Sequence, residues 1–344
     1  MGSPESEMPE HLYSSTEPLD VPRYKDLIGN TPLIDISSIS DNLAPGVKIY
    51  GKCEFLNPGF SMKDRIVKNI LDKAEKSGKL QKGGTVVAAS SGNTGASLAL
   101  IAATRGYNVV VTTTPKCSEE KMNSIKAYGA KLHVSPSGLS DDHPESYLNM
   151  ARKLAADNEG WFDIDQYENL DNPEGHFLTL GPEIWRQTKG RVSHFVLGGS
   201  TGGTISGVGR FLKGKQKDIK CILADPYGSI FYEYHKTGKH GAPKKFLVEG
   251  IGKGYIPGCL NFDVIDDVVQ VSDQDSLSTC HILARKEGLM VGGSAGLNVF
   301  AAKKVAESLT EPSVVVTILC DLGVKYLTKV YNEKWLSKNG INVS

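Results

Sequence analysis

Hydrophobic and polar positions follow two alternating patterns from about residue 46 onward. Short runs rich in β-branched residues alternate with longer segments whose apolar residues recur every three to four positions. The first pattern is typical of buried strands and the second of amphipathic helices. We predict strands over residues 47–50, 85–89, 108–113, 131–134, 194–197, 220–224 and 314–319. We predict helices over residues 64–77, 96–104, 118–128, 145–159, 204–213, 276–287 and 295–308.

This alternation of strands and helices predicts an α/β fold. Strands that alternate with helices form mostly parallel sheets covered on both faces. The alternation of strands and helices runs through residues 47–159 and resumes at residue 194. We therefore expect two open parallel-sheet α/β units with a boundary near residues 165–190. Ligands of such folds bind beyond the carboxyl ends of the strands, which directs attention to the turns that follow the strands.

Three glycine-rich turns lie just before predicted helices, at residues 90–95, 198–204 and 292–296. The first reads Ser-Ser-Gly-Asn-Thr-Gly. Free backbone N–H groups at a helix start favour an anion, and the hydroxyls of Ser90, Ser91 and Thr94 add donors. A substrate carboxylate is the ligand that this turn suits best. The alternative is a capped helix start without a ligand, because serine and threonine are ordinary N-cap residues.

The second turn reads Gly-Gly-Ser-Thr-Gly-Gly-Thr, and its small residues and hydroxyls suit a phosphate. It lacks the Gly-Lys-Ser/Thr ending of a P-loop and the G-x-G-x-x-G spacing of a dinucleotide site, which favours a smaller phosphorylated cofactor. A flexible glycine turn is the alternative. The third turn reads Gly-Gly-Ser-Ala-Gly. Considered by itself, this pattern predicts only a tight turn into a helix.

Composition narrows the classes of function. The chain has 344 residues with 39 basic and 39 acidic side chains, so no net field attracts it to nucleic acid or to an anionic membrane surface. No apolar run approaches the roughly 18 residues of a membrane span. Residues 1–21 contain no Lys or Arg but several acids, which predicts a disordered acidic tail rather than a signal or transit peptide.

The cysteines are scattered, with none within three residues of another. There is no CxxC motif, and we predict no metal site. Isolated cysteines suit a reducing compartment, where they are mostly small core residues, so we expect a cytoplasmic protein. They are Cys53, Cys117, Cys221, Cys259, Cys280 and Cys320.

Lys63 gives these turns a chemical context. It lies in the run Asn-Pro-Gly-Phe-Ser-Met-Lys-Asp-Arg at residues 57–65, about thirty residues before the first glycine-rich turn. A lysine amine can form a Schiff base, and a carboxylate-binding loop can hold an amino acid beside it. This order of segments indicates a pyridoxal phosphate (PLP) enzyme that works on amino acids.

Together with Leu-Ile-Gly-Asn-Thr-Pro-Leu at residues 27–33, these segments make the chain resemble the fold-type II PLP enzymes, the tryptophan synthase β-like superfamily. Within it, residues 22–335 are similar to the cystathionine β-synthase and cysteine synthase family. The resemblance implies a smaller, mobile α/β domain of residues 60–171 and a larger one of residues 22–59 plus 172–344. It also implies that the protein forms a homodimer and that its ligands are small amino-acid and thiol substrates.

The resemblance implies a role for each matching residue. Lys63 would be the Schiff-base lysine and the base for the α-proton. Asn93 would bind the phenolic oxygen of PLP, and Ser294 its pyridine nitrogen. A loop closing over the substrate would contain Gly250. The phosphate would be held by Ser200, Thr201, Gly202, Gly203 and Thr204. The substrate carboxylate would be held by Ser90, Ser91, Gly92, Thr94 and Gln166.

The activity implied is β-replacement, and three versions stay open. Residues 225–230 (Asp-Pro-Tyr-Gly-Ser-Ile) resemble cystathionine β-synthases, which join L-serine and L-homocysteine and can release H₂S from cysteine. Residues 252–257 (Gly-Lys-Gly-Tyr-Ile-Pro) are more like cysteine synthases or β-cyanoalanine synthases, which use O-acetylserine or cysteine. A catalytically silent sensor of the same fold is the third version. We favour the first.

Three residues depart from the family pattern. Ser200 stands where the phosphate loop usually begins with glycine, and Ser90 where the carboxylate loop usually opens with threonine. Cys320 stands where proline is common. Ser200 could restrict the backbone if its position required a positive φ. Cys320 is expected to pack in the core near the cofactor ring.

Overall fold

The computed structural model describes residues 21–141 and 143–343. Strands within this range are β1 (Leu33–Asp35), β2 (Val47–Cys53), β3 (Thr85–Ala89), β4 (Asn108–Thr113), β5 (Lys131–Val134), β6 (Trp161–Asp163), β7 (His194–Gly198), β8 (Lys220–Pro226), β9 (Asp267–Val271) and β10 (Ser313–Leu319). Longer helices are α1 (Lys63–Lys76), α2 (Asn93–Arg105), α3 (Glu119–Ala127), α4 (Tyr147–Asp157), α7 (Gly203–Lys215), α9 (Asp273–Glu287) and α10 (Gly293–Glu307). Shorter helices are α5 (Asp171–Leu178), α6 (Leu180–Gln187), α8 (Phe231–Thr237) and α11 (Glu333–Lys338).

The strands form two sheets. The larger has the order β1-β2-β10-β7-β8-β9, and all its pairs are parallel except β1 with β2. The smaller has the order β5-β4-β3-β6 and is parallel throughout. This confirms the predicted fold class of two open parallel-sheet α/β units. The proposed domain boundaries stay a prediction, and the predicted acidic tail falls almost entirely outside the described residues.

Both sheets are covered on two faces, as a parallel sheet requires. Side chains alternate along each strand, so neighbouring residues enter different cores. In β10, Val315 packs with α9 and α10, whereas Val316 packs with α6 and α7. In β3, Val86 packs with α1 and α2, whereas Val87 packs with α4.

Most predicted elements appear with small changes at their ends. The helix predicted at residues 96–104 begins at Asn93, which brings the end of the first glycine-rich turn into the helix. Gly78 follows α1 with φ +75°, as predicted for a glycine that ends a helix. Strands β1, β6 and β9 were not predicted, nor were α5, α6, α8 and α11. The six cysteines are all buried and free, which confirms their predicted packing role.

Among residues 21–141 and 143–343, no helix is long and apolar enough to cross a membrane. Within the same range, no group of three or more His, Cys, Asp or Glu side chains is arranged to hold a metal ion.

Candidate active site

A cavity lies between the two sheets, where the carboxyl ends of β3, β7 and β10 meet the first turns of α1, α2, α7 and α10. We call it the inner cavity. Of the residues predicted for the site, only Gly92 and Gly203 do not line it. Those that line it are Lys63, Ser90, Ser91, Asn93, Thr94, Gln166, Ser200, Thr201, Gly202, Thr204, Gly250 and Ser294.

Lys63 is the first residue of α1, and the next two residues fix that helix end. The buried carboxylate of Asp64 accepts hydrogen bonds from the Gly59 N–H and the Ser97 hydroxyl. Arg65 is buried between the carboxylates of Glu54 and Glu183. The Lys63 side chain therefore extends into the cavity from a rigid base.

Burial lowers the pKa of the Lys63 amine, although Cys320, Asp321 and Cys259 oppose the change. A lowered pKa raises the fraction of neutral amine, which is the form that attacks a carbonyl or takes a proton. The chemical environment of Lys63 therefore suits the role that the sequence indicates.

The turn at residues 90–95 shows the capped helix start that the sequence offered as one interpretation, while its carboxylate-binding role stays a prediction. The Ser90 hydroxyl oxygen accepts hydrogen bonds from the N–H groups of Gly92 and Gly95, at 3.0 and 2.8 Å, so it caps the start of α2. The Thr94 hydroxyl donates to Gln166 Oε1 at 2.7 Å, and Gln166 Nε2 donates to a backbone carbonyl. Ser90 is thus held inside the loop, and Ser91 faces the cavity.

Gly92 has a structural reason to be glycine. Its φ is +148°, and a Cβ there would lie 2.3 Å from Cδ of Lys121. Only glycine adopts this backbone conformation without strain. Gly92 therefore shapes the loop by contact with Lys121 rather than by lining the cavity.

The turn at residues 198–204, which we call the nest, leads into the start of α7 and is the predicted phosphate site. Gly202 has φ +78°, and a Cβ there would lie 2.4 Å from Leu260 Cβ. Ser200 is absent from the residues with positive φ, so a side chain fits at this position where the family usually has glycine. Within the described parts of the chain, the N–H groups of Ser200, Thr201 and Gly202 donate to no protein acceptor. Donors of this kind at a helix start favour a phosphate.

His176 contacts the last residue of the nest, and the sequence analysis did not identify it as a site residue. Its Nε2 lies 3.0 Å from the Thr204 hydroxyl. Burial lowers the pKa of His176 well below its usual value, and the positive charges of Lys63 and Arg65 lower it further. The imidazole is therefore neutral and can orient the Thr204 hydroxyl.

Asn93 is held by residues that the sequence did not point to. Its Nδ2 donates to Asp321 Oδ2 at 2.7 Å, and its Oδ1 accepts from Lys325 Nζ at 3.1 Å. Tyr326 donates to the same Asp321 oxygen. Burial lowers the pKa of Lys325 to about 8, although the charge of Asp321 opposes this. Asp321 follows the carboxyl end of β10, which is the one signal that could have marked it.

Ser294 lies on the first turn of α10, beside Cys320. Asn298 Nδ2 contacts the Cys320 sulfur at 3.1 Å. Burial raises the pKa of the Cys320 thiol to about 12, with a further increase from Asp321, while Ser294 and Lys63 oppose it. The thiol is therefore protonated and unreactive, in line with its predicted packing role.

Gly250 is exposed, but Val248 and Ile251 on either side of it are buried, and the loop contacts both units. The preceding Glu249 forms ion pairs with Lys121 of α3 at 2.9 Å and with Lys329 at 2.5 Å. The Gly252 N–H donates to the Gly199 carbonyl at 2.7 Å. These contacts hold the loop over the inner cavity. The Lys121–Glu249 pair had no signal in the sequence.

Comparisons with known proteins agree with this geometry. The family model of pyridoxal-phosphate dependent enzymes matches residues 24–321. Cystathionine β-synthase of Apis mellifera is 41% identical over 313 residues, covering 91% of this chain and 62% of the relative. Cysteine synthase 1 of Neurospora crassa is 38% identical over 321 residues, covering 91% of this chain and 84% of the relative.

The chain belongs to the cystathionine β-synthase and cysteine synthase family of fold-type II PLP enzymes. A solved structure of the O-acetylserine dependent cystathionine β-synthase of Helicobacter pylori has a TM-score of 0.84 and 33% identity, and covers 91% of this chain and all of that one. The chain spans less than two thirds of the length of the Apis mellifera relative.

The cofactor of this family is PLP, and the inner cavity fits it. A phosphate nest, a lysine amine and a hydroxyl at a helix start are distributed around one space. The N–H groups of Ser200, Thr201 and Gly202 that donate to no acceptor among the described residues favour an anion such as the cofactor phosphate. Lys63, Asn93, Ser294 and the nest are the residues that would hold the cofactor.

Proposed function

We propose that this chain catalyses a PLP-dependent β-replacement that joins L-serine and L-homocysteine to give L-cystathionine and water. The observation that carries the proposal is the placement of the Lys63 amine in the same cavity as two anion-binding helix starts. One helix start suits the cofactor phosphate and the other suits the substrate carboxylate.

PLP, when bound, supplies an electron sink for the α-carbon of an amino acid. The turn before α2 would fix the donor through its carboxylate, with Ser91 and the N–H groups of the helix start as donors. Lys63, with its pKa lowered by burial, would take the α-proton. The Cβ–O bond of serine would then break, and the proton held by Lys63 would complete the leaving water. A Cβ–S bond would form to the acceptor thiol, and the thiol proton would return to the α-carbon by way of Lys63.

Ser294 affects which reaction is favoured. A neutral hydroxyl at the pyridine nitrogen is too weak an acid to protonate it, so the electron sink would be weaker than with an aspartate, whose carboxylate stabilises the protonated nitrogen. Prompt loss of the β-substituent is then favoured over transamination. This supports a β-replacement, with release of H₂S from cysteine as a side activity of the same site.

The second candidate is a cysteine or β-cyanoalanine synthase that uses O-acetylserine or cysteine. It is favoured by the relative named cysteine synthase 1 and by the solved structure described as O-acetylserine dependent. Hydrogen-bonded discrimination of about 1–3 kcal/mol in the acceptor or leaving-group contacts is enough to reverse the preference.

The test compares kcat/KM for serine with homocysteine against O-acetylserine with sulfide, and against cysteine with cyanide. The proposal expects the first pair to give the highest value. A higher value for either other pair would replace it by the second candidate. Absence of turnover with every pair, together with tight binding of a peptide carboxylate, would favour a silent sensor of this fold.

We further propose that the enzyme is a cytoplasmic homodimer, that residues 60–171 form a smaller mobile domain, and that residues 22–59 plus 172–344 form the larger one. The distribution of strands between the two sheets supports this division. Size-exclusion chromatography with light scattering tests the dimer, and a monomer would contradict it.

A further inference from the structure

An outer vestibule opens from the inner cavity toward solvent. Six residues line both spaces and form the neck between them: Ser91, Tyr167, Ser200, Glu249, Gly250 and Ile251. A donor amino acid bound inside must receive the second substrate through this neck. The side chains beside the neck therefore contact the acceptor first.

Lys253 lies at the vestibule side of this neck, in the segment where the chain has Gly-Lys-Gly-Tyr. Its amine is 4.4 Å from the ring centre of Tyr167, 5.3 Å from that of Tyr255 and 5.6 Å from that of Tyr147. Only 10% of the side chain is exposed. A cation held among aromatic rings is stabilised by their π faces, and its position is fixed.

The Lys253 amine has donor capacity left for a ligand. One N–H donates to the Tyr147 hydroxyl at 3.0 Å, and a second reaches Asp141 Oδ2 at 3.3 Å. An ammonium group has three donors, so one remains. The contact with Asp141 is longer than the 2.7–2.9 Å usual for charged pairs, and Asp141 is 37% exposed.

Tyr255, which also lines the vestibule and whose ring centre lies 5.3 Å from the Lys253 amine, carries a second unused donor. Its hydroxyl is buried and has no hydrogen-bond partner among the described residues. A buried hydroxyl without a partner costs free energy, and each such group requires an explanation. A carboxylate would satisfy both the remaining N–H of Lys253 and this hydroxyl, because it accepts several hydrogen bonds.

We infer that this neck binds the acceptor by its α-amino-acid head, with the carboxylate on Lys253 and Tyr255 and the ammonium on Asp141. The inference rests on the proposed function, and it assigns the acceptor to the class of zwitterionic amino-acid thiols rather than to sulfide or cyanide. Lys253 and Asp141 present opposite charges side by side, which complements a zwitterion.

The test uses the holoenzyme at saturating donor with three thiols. L-Homocysteine has both charges, 4-mercaptobutyrate lacks the ammonium, and 3-aminopropane-1-thiol lacks the carboxylate. The variants are Lys253→Met, Lys253→Arg and Asp141→Asn. Lys244→Met is the matched control, because Lys244 also lines the vestibule but is exposed.

Lys253→Met is expected to lower kcat/KM for the two carboxylate thiols at least about tenfold relative to 3-aminopropane-1-thiol, as for loss of a charged hydrogen bond. Lys253→Arg keeps the charge and is expected to keep most of this ratio. Asp141→Asn is expected to lower kcat/KM for the two amine thiols by about threefold relative to 4-mercaptobutyrate, since Asp141 is partly solvated. Lys244→Met is expected to leave all ratios within about twofold.

Equal losses for all three thiols in Lys253→Met, or ratios that match those of Lys244→Met, would overturn the inference. The visible spectrum of the cofactor after addition of donor alone separates this failure from that of the proposed function. If the donor changes the cofactor spectrum normally but Lys253→Met leaves the kcat/KM ratios between the thiols unchanged, only the acceptor site is refuted. A wild type that responds to neither serine nor O-acetylserine refutes both.

Discussion

Asp321 and Asn93 are 228 residues apart in the chain, yet the Asn93 amide donates a 2.7 Å hydrogen bond to the Asp321 carboxylate. Asp321 lies two residues after the end of β10 in the larger sheet, and Asn93 is the first residue of α2, which packs on the smaller sheet. The bond therefore connects the two units. Because Asn93 lines the inner cavity, the carboxylate fixes a side chain that we expect to contact the cofactor.

Asp321→Ala is therefore expected to lower the free energy of unfolding by about 2–4 kcal/mol. It leaves the buried Tyr326 hydroxyl and the half-buried Asn93 amide without their acceptor, and it removes the negative charge near the Lys325 amine. Tyr326→Phe removes only one hydrogen bond to the same carboxylate and is expected to cost about 1 kcal/mol. Urea denaturation of the cofactor-free protein measures both. Equal losses in the two variants would show that Asp321 does not organise the site.

The ion network behind Lys63 predicts a loss of stability in acid. Burial would raise the pKa of Glu183, but hydrogen bonds and charges from Arg65 and Lys52 outweigh it and lower the pKa to about 2. A carboxyl group whose pKa is lowered on folding stabilises the fold above its unfolded pKa, which is about 4.5 for glutamate. That stabilisation is lost as pH falls toward 2.

Wild type is thus expected to lose up to about 3 kcal/mol of unfolding free energy from this group between about pH 4.5 and pH 2. Glu183→Gln removes the titrating group and should flatten this part of the pH profile, at a lower stability at neutral pH. Glu119→Gln changes an exposed carboxyl of α3 and should keep the wild-type slope. Urea denaturation of the three proteins at a series of pH values measures how the unfolding free energy changes with pH. The same pH dependence in wild type, Glu183→Gln and Glu119→Gln would refute the prediction.

The pair of Lys121 and Glu249 predicts how the loop at Gly250 is held. The Lys121 side chain is 2% exposed and that of Lys329 is 24% exposed, so the Lys121 pair is the less screened of the two. Lys121→Met keeps the packing against Gly92 and removes the charge. We expect amide hydrogen exchange in residues 246–252 to become at least about tenfold faster, with a smaller effect for Lys329→Met. Unchanged exchange in Lys121→Met would mean that other contacts hold the loop.

The glycine at position 92 gives a steric prediction with an internal control. Gly92 and Gly106 both have positive φ, but a Cβ at Gly106 would meet no atom within 4 Å. Gly106→Ala is expected to cost about 1 kcal/mol from backbone strain alone. Gly92→Ala must also displace Lys121, so it should cost at least about 1 kcal/mol more and weaken binding of the donor amino acid. Thermal unfolding and KM for the donor measure the two effects, and equal costs would argue against close packing of Lys121 on this loop.

The sequence predicted the interior strands, most of which are buried on both faces and rich in apolar residues, and it also predicted the edge strand β5. Strands β1, β6 and β9 were missed, and each lies at a sheet edge where it pairs on one side only. β1 and β6 have three residues each, which is too short to show a period. β9 is the exception, since its three valines could have been recognised.

For the site, glycine-rich turns at the ends of parallel strands indicated the anion-binding segments, whereas Gln166, Gly250 and the role of Ser294 came from the resemblance to the family. Sequence reasoning identified the residues around Lys63 because their chemistry is concentrated in short segments. Asp321 and the pair of Lys121 with Glu249 escaped it, because each is a single charged residue whose partner is distant in the chain. Lys121 and Glu249 are 128 positions apart, and nothing local relates them.

The central claim is that Lys63 is the amine that binds the aldehyde of PLP. Reduction of the PLP-loaded enzyme with borohydride, followed by peptide mapping by mass spectrometry, tests it most directly. We predict a phosphopyridoxyl group on the peptide that contains Lys63 and its loss in Lys63→Ala. A modification on another lysine, or none on any peptide, would contradict the claim.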